Sequence, residues 1–264
     1  RHATFSDDNA RPSFASLVSP SLHIQTGSAN FDKSTCAANI GTAVTWDPII
    51  GNAGGSSQKM SFACWIYTDS DLLDSYASLY PRIFDFGQSD TYLYFRKDKN
   101  RLVFSTRWST NRGTWYNRLN TISLNAWNHV VVTYDANSTA NDPKIYVNGT
   151  PIDVLESSTP GGSYSGITTD DCFIANRADL DRAWVGKIAD FAIWDNILTQ
   201  NEVESLYYAA SDGPYFATAS YSLNKPQTSL MGRPDFTSKS VGVGFTYATN
   251  ETGIDSLAFM GLKK

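Results

Sequence analysis

The chain has 264 residues, of which 18% are charged and 41% hydrophobic, and its formal net charge is −5. These values exclude a disordered polyelectrolyte, and no apolar run approaches the roughly 18 residues that a membrane-spanning helix needs. A mild acidity without a basic stripe argues against nucleic acid as the main partner. We therefore expect neither nucleic-acid binding nor membrane insertion.

The acidic residues and the cysteines give further constraints. Aspartate outnumbers glutamate by 22 to 4. Aspartate is typical of turns and strand ends, whereas glutamate favours helices, so the composition predicts sheets joined by loops. The three cysteines, Cys36, Cys64 and Cys172, lack the close pairing of zinc ligands, which argues against a zinc site.

The first half of the chain contains an extended arm and a series of short strands. Residues 1–20 are polar and contain two prolines, and we interpret them as an N-terminal arm. Strands are predicted at Lys59–Thr68, Arg82–Gly87, Thr91–Arg96 and Arg101–Ser105. The last two strands are expected to form a hairpin, because the short polar segment 97–100 separates them.

An irregular segment and a second hairpin follow. Residues 106–125 are rich in Trp, Asn, Arg and Thr without clean periodicity, and we expect them at one edge or face of a sheet. Trp127–Asp135 alternates as a strand with one buried face does. Ile145–Gly149 ends in Asn148-Gly149, which predicts a type I′ turn because that turn needs positive φ at both central residues.

The C-terminal third contains a buried strand and one helix. Trp184–Asp195 has the apolar pattern of a buried strand. Thr199 and Glu202 have the spacing of a capping box. In that motif the side chain of each residue accepts a hydrogen bond from the backbone N–H of the other. A short helix is therefore predicted over residues 198–207.

The last 54 residues are predicted to form a C-terminal extension, 211–264. Three prolines precede two strand-like runs, at 241–248 and 256–262. These runs either extend the main sheet or form a small attachment element.

Four segments resemble, in order, the laminin-G-like domains of the concanavalin A-like lectin/glucanase jelly rolls. They are Phe62–Ile66, Ile83–Gly87, Trp127–Asp135 with Tyr146–Gly149, and Gly186–Trp194 with Leu198–Tyr207. The resemblance implies an all-β fold, a jelly-roll β-sandwich of two antiparallel sheets with one short helix and terminal extensions. The laminin-G-like domain would occupy residues 21–210, between the N-terminal arm 1–20 and the C-terminal extension 211–264.

Six residues are expected to have structural roles in such a fold. They are Trp65, Trp127, His129, Asn148, Gly149 and Trp194. The three tryptophans fall in predicted strands and are expected in the core. His129 lies near the start of a core strand, so we interpret it as a buried structural residue rather than a catalytic one.

The resemblance implies binding rather than chemistry. We expect a non-catalytic, lectin-like recognition or adhesion module in an extracellular location or on a virion or particle surface. The alternative is a structural protein of a virion, such as a capsid decoration, spike or fibre component, whose partners are neighbouring protein subunits. A glycoside hydrolase ranks third, because none of Glu156, Glu202, Glu204 and Glu251 stands in the Glu-x-Asp-x-x-Glu pattern that jelly-roll glucanases use.

A ligand site is predicted in the irregular segment 106–125. The candidate residues are Trp108, Arg112, Trp115, Tyr116, Asn117 and Arg118. Aromatic faces stack on the C–H face of a sugar ring, and Asn and Arg bind its hydroxyls. The same residue types also make protein–protein interfaces, so the partner is either a glycan or a protein subunit.

Calcium is a candidate cofactor. Asp179 and Asp181 offer two carboxylates on one side of a loop, and Asp170 can add oxygen ligands. The alternative is that these aspartates are solvated turn residues. Many related domains carry an acidic residue directly after the Gly-x-Ile of the closing strand, where this chain has Ala189 followed by Asp190.

Overall fold

A computed structural model describes most of the central part of the chain and short pieces of both ends. The described residues are 4–5, 13–15, 28–31, 36–51, 57–68, 80–118, 120–167, 171–211, 240–242, 245–247 and 257–259. They form mostly strands, and no helix among them is long and apolar enough to span a membrane.

The described residues form eighteen strands and two α-helices. The strands of the N-terminal half are β1 (Thr4–Phe5), β2 (Ser13–Ala15), β3 (Ser28–Phe31), β4 (Ala38–Thr42), β5 (Lys59–Tyr67), β6 (Arg82–Phe86), β7 (Thr91–Arg96), β8 (Arg101–Thr106) and β9 (Gly113–Asn117). Those of the C-terminal half are β10 (Trp127–Asp135), β11 (Lys144–Val147), β12 (Thr150–Ile152), β13 (Val154–Ser158), β14 (Asp171–Ile174), β15 (Gly186–Trp194), β16 (Ser240–Gly242), β17 (Phe245–Tyr247) and β18 (Leu257–Phe259). The helices are α1 (Ala43–Ile50) and α2 (Gln200–Ser211).

Two large antiparallel sheets make the fold, as predicted. In the first sheet the strand order is β1-β4-β14-β6-β7-β8-β9-β13. In the second sheet the order is β12-β11-β10-β5-β15-β3-β2, with β16 paired to the other half of β15. Neighbours in these orders are often distant in the chain, which is the long-range pairing expected of a jelly roll.

The core lies between the two sheets. Its largest fully buried side chains come from both sheets, for example Phe62 of β5, Phe84 of β6 and Phe104 of β8. The rings of Phe62 and Phe84 stack across the interface with their centroids 4.5 Å apart. Aromatic pairs of this kind add to the free energy gained from apolar burial, so they fix how the sheets face each other.

The second sheet is covered on its outer face as well. Val131, Tyr146 and Trp194 point away from the core and pack against Leu198 and Val203 at the start of α2. Because helix and sheet bury each other's apolar side chains there, this part of the outer face is closed to solvent.

Helix α2 begins as the sequence predicts. The Glu202 carboxylate accepts hydrogen bonds from the backbone N–H of Thr199, at 2.7 Å, and from its hydroxyl, at 2.9 Å. The Glu202 N–H lies 3.4 Å from the Thr199 hydroxyl oxygen. The capping box is thus confirmed.

Helix α1 was not predicted from the sequence. Its residues include Val44, Thr45 and Ile49, which are β-branched and favour strands. Trp46 is buried, its indole N–H donates to the Ile40 carbonyl oxygen at 3.0 Å, and its ring meets that of Phe86 edge-on. Tertiary packing of one tryptophan, rather than local propensity, therefore accounts for this helix.

The Asn148-Gly149 hairpin is confirmed. Both residues have positive φ, 51° and 78°, and they join β11 to β12 through the pair Val147 and Thr150. The Asn148 side-chain oxygen also accepts the His129 N–H at 2.8 Å, so the turn is fastened to β10. The hairpin between β7 and β8 is likewise present, with a 3₁₀ turn at Lys97–Lys99.

The terminal segments contribute strands where they are described. In the predicted N-terminal arm, β1 pairs with β4 and β2 pairs with β3, so the arm adds strands to both sheets. In the predicted C-terminal extension, β16 pairs with β15, while β17 and β18 pair with each other. Both outcomes left open by the sequence, extension of the main sheet and a separate small element, therefore occur.

A tyrosine–arginine face as the candidate ligand site

Strand β7 exposes one of its faces to solvent. Its residues Thr91, Leu93 and Phe95 are buried, whereas Tyr92, Tyr94 and Arg96 are half-buried. Side chains alternate between the two faces of a strand, so these three half-buried residues share the outer face of the first sheet.

Strand pairing brings further aromatic and basic residues to this face. Arg82 of β6 lies opposite Tyr94, and Val103 of β8 lies on the other side of Tyr94. Val103 in turn pairs with Tyr116 of β9. Because Val103 is itself buried, Tyr94 and Tyr116 supply the accessible surface of this row.

Three tyrosine rings form a continuous strip, which we call the tyrosine strip: Tyr80, Tyr92 and Tyr94. The Tyr80 and Tyr94 rings meet edge-on with centroids 5.5 Å apart. The Tyr94 and Tyr92 centroids are 6.0 Å apart. All three side chains are half-buried, so each ring is fixed by its neighbours and still reaches solvent.

Arginines stack on these rings and on Tyr116. The guanidinium carbon of Arg82 is 3.8 Å from the centroid of Tyr92 and 5.1 Å from that of Tyr94, and Arg112 lies 5.2 Å from Tyr92. Arg182 and Arg96 lie 5.6 Å and 5.9 Å from Tyr80, and Arg101 lies 4.6 Å from Tyr116. We call the set the Tyr–Arg face: Tyr80, Arg82, Tyr92, Tyr94, Arg96, Arg101, Arg112, Tyr116 and Arg182.

A buried ion pair supports this face from below. Arg82 Nε donates to the Asp85 carboxylate at 2.9 Å, and both side chains are buried. The Ser89 N–H donates to the other carboxylate oxygen at 2.5 Å. Burial raises the pKa of Asp85 to about 6, although Arg82 and the Ser89 bonds act in the opposite direction.

The arrangement suits a ligand that has both apolar faces and polar edges. A tyrosine ring offers an apolar face for stacking and a hydroxyl for hydrogen bonding. A guanidinium that stacks by its face leaves N–H groups on its edge free to bind oxygen atoms. The outer face therefore combines the two kinds of contact that a sugar ring uses.

The predicted site residues Trp108 and Trp115 are not part of an accessible surface. Trp108 is 6% exposed and Trp115 is fully buried. Trp115 faces inward on β9, where its ring lies 5.0 Å from that of Tyr134 and its indole N–H donates to Asp142 at 2.6 Å. The expectation that these two rings stack on a ligand is therefore wrong, because β9 pairs with β8 and turns Trp115 into the core.

The other predicted ligand residues separate into three groups. Arg112 and Tyr116 belong to the Tyr–Arg face and stay candidates. Asn117 is buried, and its side-chain oxygen accepts the Leu102 N–H at 2.5 Å, so it is not available to a ligand. Arg118 is exposed and forms a 3.4 Å ion pair with Asp153.

Seven residues of the Tyr–Arg face were not predicted from the sequence: Tyr80, Arg82, Tyr92, Tyr94, Arg96, Arg101 and Arg182. A signal was present in β7, since the alternation in Thr91–Arg96 places two tyrosines and an arginine on one face. No comparable signal exists for Arg82, because a register shift between Arg82 and Phe84 determines its partner on β7.

The three aspartates predicted as calcium ligands are not assembled as a described site. Arg177 forms a two-point ion pair with Asp181, with N–O distances of 2.5 and 2.7 Å, and also reaches Asp179 at 3.3 Å. Asp170 lies outside the described residues. In the described ranges, no three His, Cys, Asp or Glu side chains are grouped for a metal ion. Calcium binding stays a prediction.

The predicted structural residues cluster beneath α2. Trp65 and Trp194 are buried, as expected, whereas Trp127 is half-buried against Tyr67, so its expected core position is wrong. The His129 imidazole lies 5.1 Å from the Trp65 ring and 6.1 Å from the Tyr207 ring of α2. Burial lowers the pKa of His129 to about 3, so the side chain is neutral at physiological pH.

A concave region lies beside β11 and β12. Its volume is about 680 Å³, and its lining includes Tyr146, Leu198, Thr199 and Gln200. The polar groups at this end of α2 already bond within the protein, Thr199 to Glu202 and Gln200 to the Gly149 carbonyl oxygen.

Three solved structures are similar to this chain to different degrees. The binding domain of Paraclostridial Mosquitocidal Protein 1 has a TM-score of 0.54 and 12% identity, over 78% of this chain and 47% of that one. Domain 4 of AbnA, a GH43 extracellular arabinanase from Geobacillus stearothermophilus in complex with arabinotriose, has a TM-score of 0.46 and 14% identity over 78% and 87%. The heptameric SAP-like pentraxin from Limulus polyphemus has a TM-score of 0.43 and 18% identity over 60% and 73%.

At 12% identity and a TM-score of 0.54, the likeness to the binding domain of Paraclostridial Mosquitocidal Protein 1 shows the fold alone. No curated protein matches the chain in sequence. A family profile, in contrast, matches residues 41–204, which is more than half of the chain and contains β5 to β15. The profile, the two antiparallel sheets and the capped helix agree: the chain belongs to the Concanavalin A-like lectin/glucanases superfamily.

Proposed function

We propose that the chain is a non-catalytic, lectin-like module that binds a glycan on the Tyr–Arg face. The observation that carries the proposal is the tyrosine strip, three half-buried rings held in contact on the outer face of the first sheet. Part of the outer face of the second sheet is covered by α2 instead. Exposed aromatic rings in a fixed arrangement on one sheet favour ligand binding there.

The arginines supply the polar half of the recognition. Arg82 is held by Asp85 and stacks on Tyr92, so the orientation of that ring is fixed before a ligand arrives. A preorganised site loses less conformational freedom on binding than a mobile one. Guanidinium edges and tyrosine hydroxyls then bind sugar hydroxyls, while the ring faces bury the apolar face of the sugar.

The buried carboxylate of this face does not have the features of a glycosidase acid. Asp85 is fully buried, and its two oxygens accept hydrogen bonds from Arg82 and Ser89. A glycosidase general acid must reach the glycosidic oxygen, with a second carboxylate on the opposite side. These bonds support an interpretation of Asp85 as a structural residue.

We further propose an extracellular or particle-surface location, where a glycan-binding module meets its ligands. The alternative role, a structural protein of a virion, stays a prediction. No observation on the described residues favours it over glycan binding.

The experiment is a glycan-array screen of the full chain, repeated with calcium and with EDTA, followed by affinity measurements on the best ligand. Tyr92→Ala and Tyr94→Ala should each weaken binding, and Tyr92→Phe should retain most of it because the ring remains. The matched control is Tyr208→Ala, which removes a 54% exposed tyrosine from α2 and should leave binding unchanged.

Circular dichroism and thermal unfolding establish that each variant is folded. Binding that survives both alanine substitutions, or that Tyr208→Ala removes equally, would place the site elsewhere. An array without any binding in either condition would overturn the glycan proposal.

A further inference from the structure

The strands of the Tyr–Arg face concentrate positive charge in an acidic protein. The chain has a formal net charge of −5. Residues 91–118, which contain β7, β8 and β9, nevertheless include seven Lys and Arg residues and a single Asp. A local charge opposite in sign to that of the whole chain attracts anionic ligands to this face.

Some of these arginines are neutralised by neighbouring carboxylates. Arg96 pairs with Asp98 and Arg107 with Asp90, each with an N–O distance of 2.9 Å. Arg82 pairs with the buried Asp85 at the same distance. Their charges are compensated within the protein, so they contribute mainly to its architecture.

Arg101 is different. Among the described residues its side chain has no hydrogen-bond or ion-pair partner, and its Nε atom is buried. Its guanidinium carbon lies 4.6 Å from the Tyr116 ring centroid, so the group packs against that ring. No carboxylate among the described residues balances the charge of this guanidinium, so an anionic group of a ligand would balance it.

Arg112 is the second uncompensated charge of the face. It lies 5.2 Å from the Tyr92 ring, and one of its terminal nitrogens donates to the Asp90 carbonyl oxygen at 3.0 Å. In the described part of the chain no carboxylate forms an ion pair with it. The two arginines therefore stack on tyrosines of different strands, β7 and β9, and both retain a net charge.

We infer that the ligand of the Tyr–Arg face is an anionic saccharide, with its carboxylate or sulfate groups bound by Arg101 and Arg112. The inference rests on the proposed function, because it assigns a ligand class to the same face. Planar guanidinium groups bind carboxylate and sulfate oxygens through two parallel N–H bonds. The tyrosine strip contacts the sugar rings between these anionic groups.

The test compares saccharides that differ only in charge. Polygalacturonate is measured against its carboxyl-reduced form, and heparin against its desulfated form, by calorimetry with the full chain. Binding to one charged polymer should exceed binding to its neutral counterpart by about tenfold or more, the size of one charge-assisted interaction. Which pair shows the difference identifies the anion as carboxylate or sulfate. The difference should shrink between about 50 mM and about 500 mM NaCl.

Variants then assign the effect to the two arginines. Arg101→Gln and Arg112→Gln should each reduce binding of the charged polymer by about tenfold and weaken binding of the neutral polymer by a smaller factor, because only the charged polymer loses a charge-assisted bond. The matched control is Lys144→Gln, which makes the same change of charge at an exposed position of β11 on the second sheet. It should change the affinity by less than about twofold.

The outcomes separate this inference from the proposed function. The inference of an anionic ligand is overturned if the wild type binds charged and neutral polymers equally. It is also overturned if neither arginine variant weakens binding of the charged polymer. Both outcomes leave the glycan-binding proposal intact. An absence of binding to all four polymers, together with an empty glycan array, overturns both. The inference is supported if the wild type prefers the charged polymer and both arginine variants lose that preference.

Discussion

The guanidinium carbon of Arg82 lies 3.8 Å from the ring centroid of Tyr92 while its Nε donates a 2.9 Å hydrogen bond to Asp85. One side chain thereby connects an accessible aromatic ring with a buried carboxylate. The ion pair lies directly under the tyrosine strip, so stability and ligand geometry depend on the same residue.

Replacing Arg82 with methionine should destabilise the protein by about 3–5 kcal/mol at pH 7, because it leaves the buried Asp85 charge unpaired. The substitution should also raise the pKa of Asp85 further, since Arg82 holds that pKa down. The loss should be smaller at pH 5, where Asp85 is protonated. Urea unfolding at both pH values measures the effect.

The matched control for this change is Arg96→Met. Arg96 also pairs with an aspartate on the outer side of the sheet, but that pair is open to solvent. Exposed ion pairs contribute little to stability. A similar destabilisation in both variants would contradict a special role for the buried pair.

Trp115→Ala should destabilise the fold by about 3–5 kcal/mol, the usual cost of removing a large buried side chain. The same change at Tyr116, the next residue on β9, should cost much less because that side chain faces solvent. Chemical denaturation of the two variants compares inward and outward positions on one strand. A near-native stability of Trp115→Ala would show that the ring does not fill the core.

These two neighbours also show what the sequence could and could not predict. Alternation alone places Trp115 and Tyr116 on opposite faces of any strand. It does not reveal that Gly113–Asn117 is a strand, because the segment is short and its pairing partner β8 sets the register. The fold was predictable from longer signals, such as the strand at Trp127–Asp135 and the Asn148-Gly149 turn.

The candidate site depends on contacts that no local pattern contains. The approach of Arg82 to Tyr92 needs the pairing of β6 with β7 and the register shift beside Phe84. Helix α1 likewise depends on the burial of Trp46 rather than on its own propensity. Local sequence patterns thus predicted many of the strands and turns, whereas long-range strand pairing determined which side chains are in contact.

Asn148 should respond to substitution according to its two roles in the turn. Glycine tolerates the φ of 51° at this position, so Asn148→Gly adds no backbone strain. The substitution does remove the acceptor of the His129 N–H, which should lower the free energy of unfolding by about 1 kcal/mol. Asn148→Ala loses the same bond and adds backbone strain, for a total of about 2 kcal/mol or more. Urea unfolding should therefore rank asparagine above glycine above alanine. Equal stability of the glycine and alanine variants would contradict a left-handed conformation at this position.

His129 and Asp85 should oppose each other in the pH dependence of stability. The folded-state pKa of His129, about 3, lies below its unfolded value of 6.5, so stability is lost as the pH falls through that range. The folded-state pKa of Asp85, about 6, lies above its unfolded value of 3.8, so stability is gained as the pH falls between them. The two contributions largely cancel between about pH 6 and pH 4.

Removing either side chain should reveal the contribution of the other to the pH dependence of stability. His129→Phe should make the protein more resistant to acid, by about 1.4 kcal/mol relative to the wild type for each pH unit below about 6. Asp85→Asn should do the reverse, because the contribution of His129 is then unopposed. Unfolding free energies from urea titrations at pH 4, 5, 6 and 7 give the pH dependence of stability for the wild type and both variants. Curves that run parallel in all three proteins would show that neither group titrates differently in the folded and unfolded chains.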